Sequence, residues 1–313
     1  SDVHYYVYSA ALEVYGQATG IPPEQRLFDN DTSDYTLETW AMFGEVYWQV
    51  SDSLLLTLGL RYSEEEKSSK QRSIYLGFLD DPTAPDGGYE DFGGEWEEPT
   101  GKFNITWDVA DDVMTYLTLS RSYKSGGFNP ISASSPVLAE DASLAEFDPE
   151  YINAFEVGLK SRFFDQTLQS NISYFYYDYE GLQISTINNQ TALNLNYDAT
   201  IQGIEAEFVW VPTDNWRFSS NLAWLDSAMD GGSSLDTADI NTLGTTENII
   251  SSPNSNVYVG AGCPEGVFPC SGLVKSLDGN EMPNAPNFSV NLGVSYGFYL
   301  ESGMELIAAT NYY

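Results

Sequence analysis

The chain has 313 residues, with 46 Asp and Glu against 12 Lys and Arg, and a formal net charge of −34. That balance disfavours nucleic acid as a partner, since phosphate binding needs clustered Lys and Arg, and a chain 42% hydrophobic and 14% aromatic is not wholly disordered. The longest apolar runs, such as Leu54–Leu56 and Val209–Val211, fall far short of the ~20 residues of a spanning helix, whereas a spanning strand needs only about 10, half of them facing lipid.

In chain order, the N-terminus shows no signal peptide, so an exported protein stands here in processed or truncated form. Asp29, Asp31 and Asp34 cluster oxygen donors at close spacing and are a candidate calcium site, without the Gly and bidentate Glu of a helical calcium loop. From there on period-two alternation dominates. Leu54, Leu56, Leu58, Leu60 and Tyr62 share one face of residues 53–63; Phe103, Ile105, Trp107 and Val109 share one of 101–109. Tyr151, Phe155, Val157, Leu159 and Phe163 oppose Glu156, Gly158, Lys160 and Arg162, and Ile204, Ala206, Phe208 and Trp210 oppose Glu205 and Glu207. Phe288, Val290, Leu292, Val294, Tyr296 and Phe298 close the series. Successive strand side chains point to opposite faces, so these are amphipathic strands.

Short connections near 50–53, 108–112, 164–166, 211–215 and 298–303 alternate with long ones near 64–94, 125–149, 180–196 and 226–284. In an antiparallel meander this sorts the short turns to one rim and the long loops to the other, the layout of an outer-membrane barrel. Trp48, Trp107, Phe163, Trp210, Trp216 and Phe298 lie beside short turns, as an interfacial ring; Tyr62, Tyr123 and the run Tyr174–Tyr177 lie toward the other rim. The expected fold is all-β, an antiparallel transmembrane β-barrel. A soluble β-sandwich also alternates, but its loops need not sort by length. The acidic residues concentrate in the loops, 64–98 above all, and read first as a solvated, charged rim.

Cys263 and Cys270 close a Pro/Gly-rich loop and read as a disulfide in an oxidising compartment, since zinc sites show tighter pairs and further ligands. His4 is the only histidine and sits outside any motif, which argues against a Ser–His hydrolase; no enzymatic activity and no cofactor are expected.

The segments Trp48–Tyr62, Tyr116–Asn129, Phe155–Asp165, Tyr174–Gln183, Gly203–Phe208 and Met282–Tyr296 resemble, in order, the barrel hairpins of TonB-dependent outer-membrane receptors. The resemblance implies a 22-stranded barrel around a separate plug. Five hairpins over residues 36–313 give ten strands, and at ~28 residues each 22 strands need about 600 residues. The chain therefore reads as an internal fragment of one barrel domain, with plug and TonB box outside it. The resemblance further implies active import, in the bacterial outer membrane, of a scarce solute such as a ferric siderophore, haem, cobalamin or oligosaccharide. Energy would come from TonB–ExbB–ExbD through the plug, and lipid and lipopolysaccharide would surround the barrel. A passive porin and a barrel adhesin are the competing readings.

Candidate cargo contacts are Lys124, Phe128 and Asn129, entering a Gly-rich loop, and Tyr177, Asp178 and Tyr179 beside another, where an aromatic next to a polar group suits stacking and orientation. Interface-belt tyrosines are the plainer reading. Arg61, Lys102, Glu156, Lys160, Arg162, Glu205, Glu207 and Arg217 alternate with the apolar stripe and are expected to line the lumen, facing plug or water.

Overall fold

A strand with one dry and one wet face is stable only if neighbours continue each face, and here the register does so across most of the chain. The structure, a computed structural model, describes residues 3–7, 28–75, 89–130, 142–188, 191–235 and 274–313. The strands are β1 (Val3–Val7), β2 (Phe28–Ser51), β3 (Leu54–Tyr75), β4 (Glu90–Ala110), β5 (Val113–Lys124), β6 (Gly127–Phe128), β7 (Glu146–Phe147), β8 (Glu150–Phe163), β9 (Leu168–Asn188), β10 (Thr191–Trp210), β11 (Trp216–Asp230), β12 (Ser233–Leu235), β13 (Val274–Ser276), β14 (Phe288–Tyr299) and β15 (Glu305–Tyr312). Eleven of them form one sheet in the order β1-β2-β3-β4-β5-β8-β9-β10-β11-β14-β15. The ten expected strands are all there, and β1 adds an eleventh. β1 and β15 end the order without pairing to each other, so the sheet is an open antiparallel meander.

One row shows the sorting. Leu56 stands opposite Trp48 and Ile105, and the row continues through Leu117, Val157, Tyr174, Ile204 and Trp224 to Phe288. Every position in it is apolar or aromatic. Many of its neighbours on that face are exposed, Leu60 by 62% and Phe288 itself by 73%. The few buried apolar side chains, among them Phe175, Ala199 and Met229, belong instead to the opposite face, which we call inward. Burial is thus inverted relative to a water-soluble sheet, as a lipid-facing exterior requires.

The short turns fall at 52–53, 111–112, 164–167, 211–215 and 300–304, all at one rim. The 164–167 turn is built without glycine: Phe164, Asp165 and Gln166 have φ of 55°, 52° and 65°, in the left-handed region that ordinary residues occupy at a cost. Beside these turns the outward rings of Trp210, Phe218, Trp216, Tyr296 and Phe298 form a continuous chain, with centroids 5.5, 5.6, 4.7 and 4.6 Å apart. Of the six aromatics expected beside the short turns, Trp210, Trp216 and Phe298 belong to this chain, joined through Phe218 and Tyr296.

The far rim differs from expectation. Residues 64–75 and 90–94 continue the β3–β4 ladder to Gln71↔Glu90, and 180–196 lies almost wholly within the β9–β10 hairpin. Much of both anticipated loops is therefore paired strand. At ~3.3 Å per residue the 22 residues of β3 far exceed the 9–11 of a tilted crossing, so the hairpins stand well beyond the apolar band. β4 and β5 pair only up to Gly101↔Arg121, while β3–β4 and β5–β8 continue past that point. The upper sheet is thereby split into a β2–β3–β4 blade and a β5–β8–β9–β10 wall.

Candidate functional site

Eight charged side chains lie on the face opposite the apolar row. Arg61, Lys102, Glu156, Lys160, Arg162, Glu205, Glu207 and Arg217 share one phase of the register, opposite the Leu56 row. Lys102 reaches across Gly59 to Glu45, with Nζ 2.6 Å from Oε1. The Arg61 guanidinium lies 5.8 Å from the Phe43 ring centroid, and its Nε donates to Ser63 Oγ at 2.7 Å. Tyr116 OH donates to Glu156, Lys160 Nζ stands 5.6 Å from the Tyr116 ring, and Asn171 donates to Glu207 at 3.1 Å. These partly wet contacts orient side chains more than they stabilise the fold.

The most constrained part of this face is the connection between β5 and β8. Its described ends, 125–130 and 142–149, lie across the inward face at the long-hairpin rim. On the blade side Lys67 Nζ donates to Ser125 Oγ at 2.6 Å and to the Gly126 carbonyl at 2.7 Å, and lies 5.1 Å from the Trp96 ring centroid. Ser125 Oγ donates to Glu65 at 2.6 Å, and Gln71 Nε2 donates to the Asn129 carbonyl at 2.6 Å. On the wall side Gln183 Nε2 donates to the Ser125 and Asp148 carbonyls, both at 3.0 Å, and Asn196 Nδ2 to the Asp148 carbonyl at 2.8 Å. β6 and β7 pair with each other, and a Cβ on Gly126 would come within 2.4 Å of the Phe147 carbonyl. This strap bridges the split between β4 and β5.

The candidate cargo residues divide accordingly. Asn129 is fully buried, and its amide is spent on the Leu144 and Asn194 backbone. Phe128 packs on Phe92 and Trp96, at 5.6 and 6.2 Å between centroids. Both belong to the strap's own architecture. Lys124 is exposed at the end of β5, opposite Glu150. Tyr177 and Tyr179 face inward, Tyr177 stacked on Phe175 at 4.8 Å, but Asp178 lies opposite Asn153 and Thr200 on the outward face. Strand alternation separates that triplet, so Asp178 is not grouped with the two tyrosines. Sequence reasoning passed over Lys67, Gln71, Gln183, Asn194 and Asn196. The signal available for them is the polar, partly Asn-rich composition of segments whose local pattern reads as loop.

Two tyrosines span the split. Tyr123 donates to Glu65 at 3.1 Å and Tyr151 donates to Glu98. Burial, followed by these carboxylate partners, pushes both phenols up to about 12. Burial also lowers Lys67 from its ordinary value. On the outward side hydrogen bonds from Arg121 and Asn153 hold Glu180 below the usual carboxylate range.

Of the calcium candidates, Asp31 is buried and accepts from Arg72, at 3.4 Å, and from Tyr89. Asp34 stands opposite Lys70 beyond a bulge, and the Asp29 side chain lies outside the described residues. Glu64, Glu95 and Glu97 bring carboxylate oxygens within 4.8 Å of one another on the outward face of the blade. Cys263 and Cys270 also lie outside the described residues.

Residues 1–313 match the model of the "TonB dependent receptor-like, beta-barrel" family. The pesticin receptors of Yersinia enterocolitica and Yersinia pestis are each 25% identical over 194 residues, covering 62% of this chain and 27% of their own length. Among solved structures, the ferric yersiniabactin uptake receptor FyuA of Yersinia pestis is similar over 90% of this chain and 34% of its own, with a TM-score of 0.56 at 16% identity. The siderophore receptor PiuA of Acinetobacter baumannii is similar over 91% of this chain and 37% of its own, with a TM-score of 0.53 at 18% identity. The chain thus spans about a quarter to a third of the length of these relatives. With a match over its whole length, a meander sorted into apolar outward and charged inward faces, and short turns gathered at one rim, the chain belongs to the TonB-dependent receptor β-barrel family.

Proposed function

We propose that this chain is part of the barrel wall of an energised outer-membrane importer whose cargo is a scarce solute of the ferric siderophore type. The observation that carries the reading is the strapped, charged inward face backed by a continuous apolar exterior. That arrangement suits passage of a polar solute along a wall held rigid at its mouth. The pesticin and siderophore receptors among its relatives favour this cargo class over haem, cobalamin or oligosaccharide. Lys124, Tyr177 and Tyr179 are the inward side chains we assign to cargo contact, and the eight charged residues to a plug or to lumen water. Drive from TonB–ExbB–ExbD, the surrounding lipopolysaccharide and a Cys263–Cys270 disulfide belong to the same reading.

The test is iron-limited growth of a siderophore-deficient strain that carries the full-length receptor as its sole uptake route, supplied in turn with a panel of ferric siderophores. The reading requires growth on at least one that disappears when TonB is deleted. Growth that persists without TonB would replace it with passive diffusion.

A further inference from the structure

The outward face is not uniformly convex. Close to the short-turn rim it sinks into an apolar groove of about 750 Å³, within the ~300–1,000 Å³ of ordinary ligand sites. The register explains it. In one row Phe208, Ser220, Leu292 and Tyr312 stand side by side, and in the next Trp210, Phe218 and Val294. Ser220 is the small residue among large ones, so its position forms the floor and the rings form the banks. Phe164, in the turn after β8, closes the rim end.

Two features specify the occupant. The groove opens onto the connected girdle of Trp210, Phe218 and Trp216, so it is continuous with the face that meets hydrocarbon, and a dry apolar groove there takes an acyl chain rather than water. At its rim end the charge is acidic. Asp165 follows Phe164 directly, and exposed Asp214 sits in the adjacent turn, joined to the first by Val211 N–H donating to the Thr167 carbonyl at 2.8 Å. Carboxylates there repel a phosphate-only headgroup and attract an ammonium.

We propose that this groove is a binding site for one phospholipid with an ammonium headgroup, drawn from the leaflet at the short-turn rim. One acyl chain lies over Ser220 and the ammonium is held at Asp165 and Asp214. The proposal rests on the outward face being the lipid face.

The experiment is native mass spectrometry of the full-length receptor released from vesicles containing equal phosphatidylethanolamine and phosphatidylglycerol. The site requires one retained phosphatidylethanolamine at several-fold excess over phosphatidylglycerol. It also requires at least fivefold less retention in Ser220→Phe, and loss of headgroup preference with retained lipid in an Asp165→Asn, Asp214→Asn double variant. Leu60→Phe, on the same face away from the groove, should retain lipid as the parent does. Heat-modifiable migration on gels confirms that each variant is folded. Equal retention of both lipids, unaffected by Ser220→Phe, would mean unselective annular lipid and overturn the site. A dimer mass abolished by Ser220→Phe would assign the groove to a second copy and overturn it as well. A receptor that stays monomeric in buffer without detergent would instead refute the lipid-facing reading beneath it.

Discussion

Asn129 and Asn194 exchange a reciprocal pair of hydrogen bonds: Asn129 Nδ2 donates to the Asn194 carbonyl at 3.0 Å, and the Asn194 N–H donates to Asn129 Oδ1 at 2.7 Å. This joins the strap to the β9–β10 hairpin through a side chain with no exposed surface. Asn129→Ala would leave buried backbone groups without partners, each costing ~1–3 kcal/mol. Asn129→Asp would set a carboxylate against two carbonyls and should be worse. Limited proteolysis of the full-length receptor should show faster cleavage within 125–149 for both variants, fastest for the aspartate. Unchanged cleavage would show that the strap is held by other contacts.

The tyrosine clasps predict an alkaline weakness. Burial and the Glu65 and Glu98 carboxylates push Tyr123 and Tyr151 up to about 12 from an ordinary 10.0. A group whose pKa is raised on folding contributes stability that is complete below its unfolded pKa and is lost as pH rises through the folded one. The wall and blade should therefore loosen from each other between about pH 10 and 12 and not in the acid range. Phenolate absorbance should show late-titrating tyrosines whose amplitude falls by two phenols in the Tyr123→Phe, Tyr151→Phe double variant.

Close packing over inward glycines predicts graded intolerance. A Cβ on Gly203 would sit 2.5 Å from the Trp224 carbonyl, which is backbone and cannot yield. One on Gly158 would first meet the Tyr116 ring, at 2.3 Å, a side chain that can swing away. Overpacking costs ~1–3 kcal/mol, so Gly203→Ala should lower refolding yield in urea more than Gly158→Ala. The reverse order would contradict the register given for β9, β10 and β11.

Much of this structure is legible in the chain because barrel strands advertise themselves locally. The alternation at 53–63 and 287–298, the five short turns and the tryptophans beside them each follow from neighbouring residues. The phase of all eight inward charges follows likewise, once one apolar stripe is fixed. What escapes is set by long-range pairing. The ladder through 64–75 is mostly polar on both faces, and that through 180–196 carries Gly181 and an Asn-rich tip, so both read as loop. The strap depends on Lys67, Gln71 and Asn194 meeting a segment some 58 to 65 residues away, which no local pattern records. Asp178 was misplaced for a simpler reason: grouping three successive residues ignores the two faces of a strand.

The asymmetry of the faces predicts how charge is tolerated. Arg at Leu222, on the outward face, should cost ~2–4 kcal/mol near the bilayer middle. Arg at Ala223, the next residue on the inward face, should cost far less. Urea unfolding in vesicles of the two full-length variants measures the difference directly.

The central claim is that alternate residues of each strand face hydrocarbon and the lumen. Nitroxide scanning of residues 203–210 in the full-length receptor, reconstituted in vesicles, tests it most directly. Collision with oxygen, which partitions into lipid, should peak at 204, 206, 208 and 210. Collision with a water-soluble nickel chelate should peak at the residues between. Two profiles in the same phase, or with no period of two, would contradict the barrel wall described here.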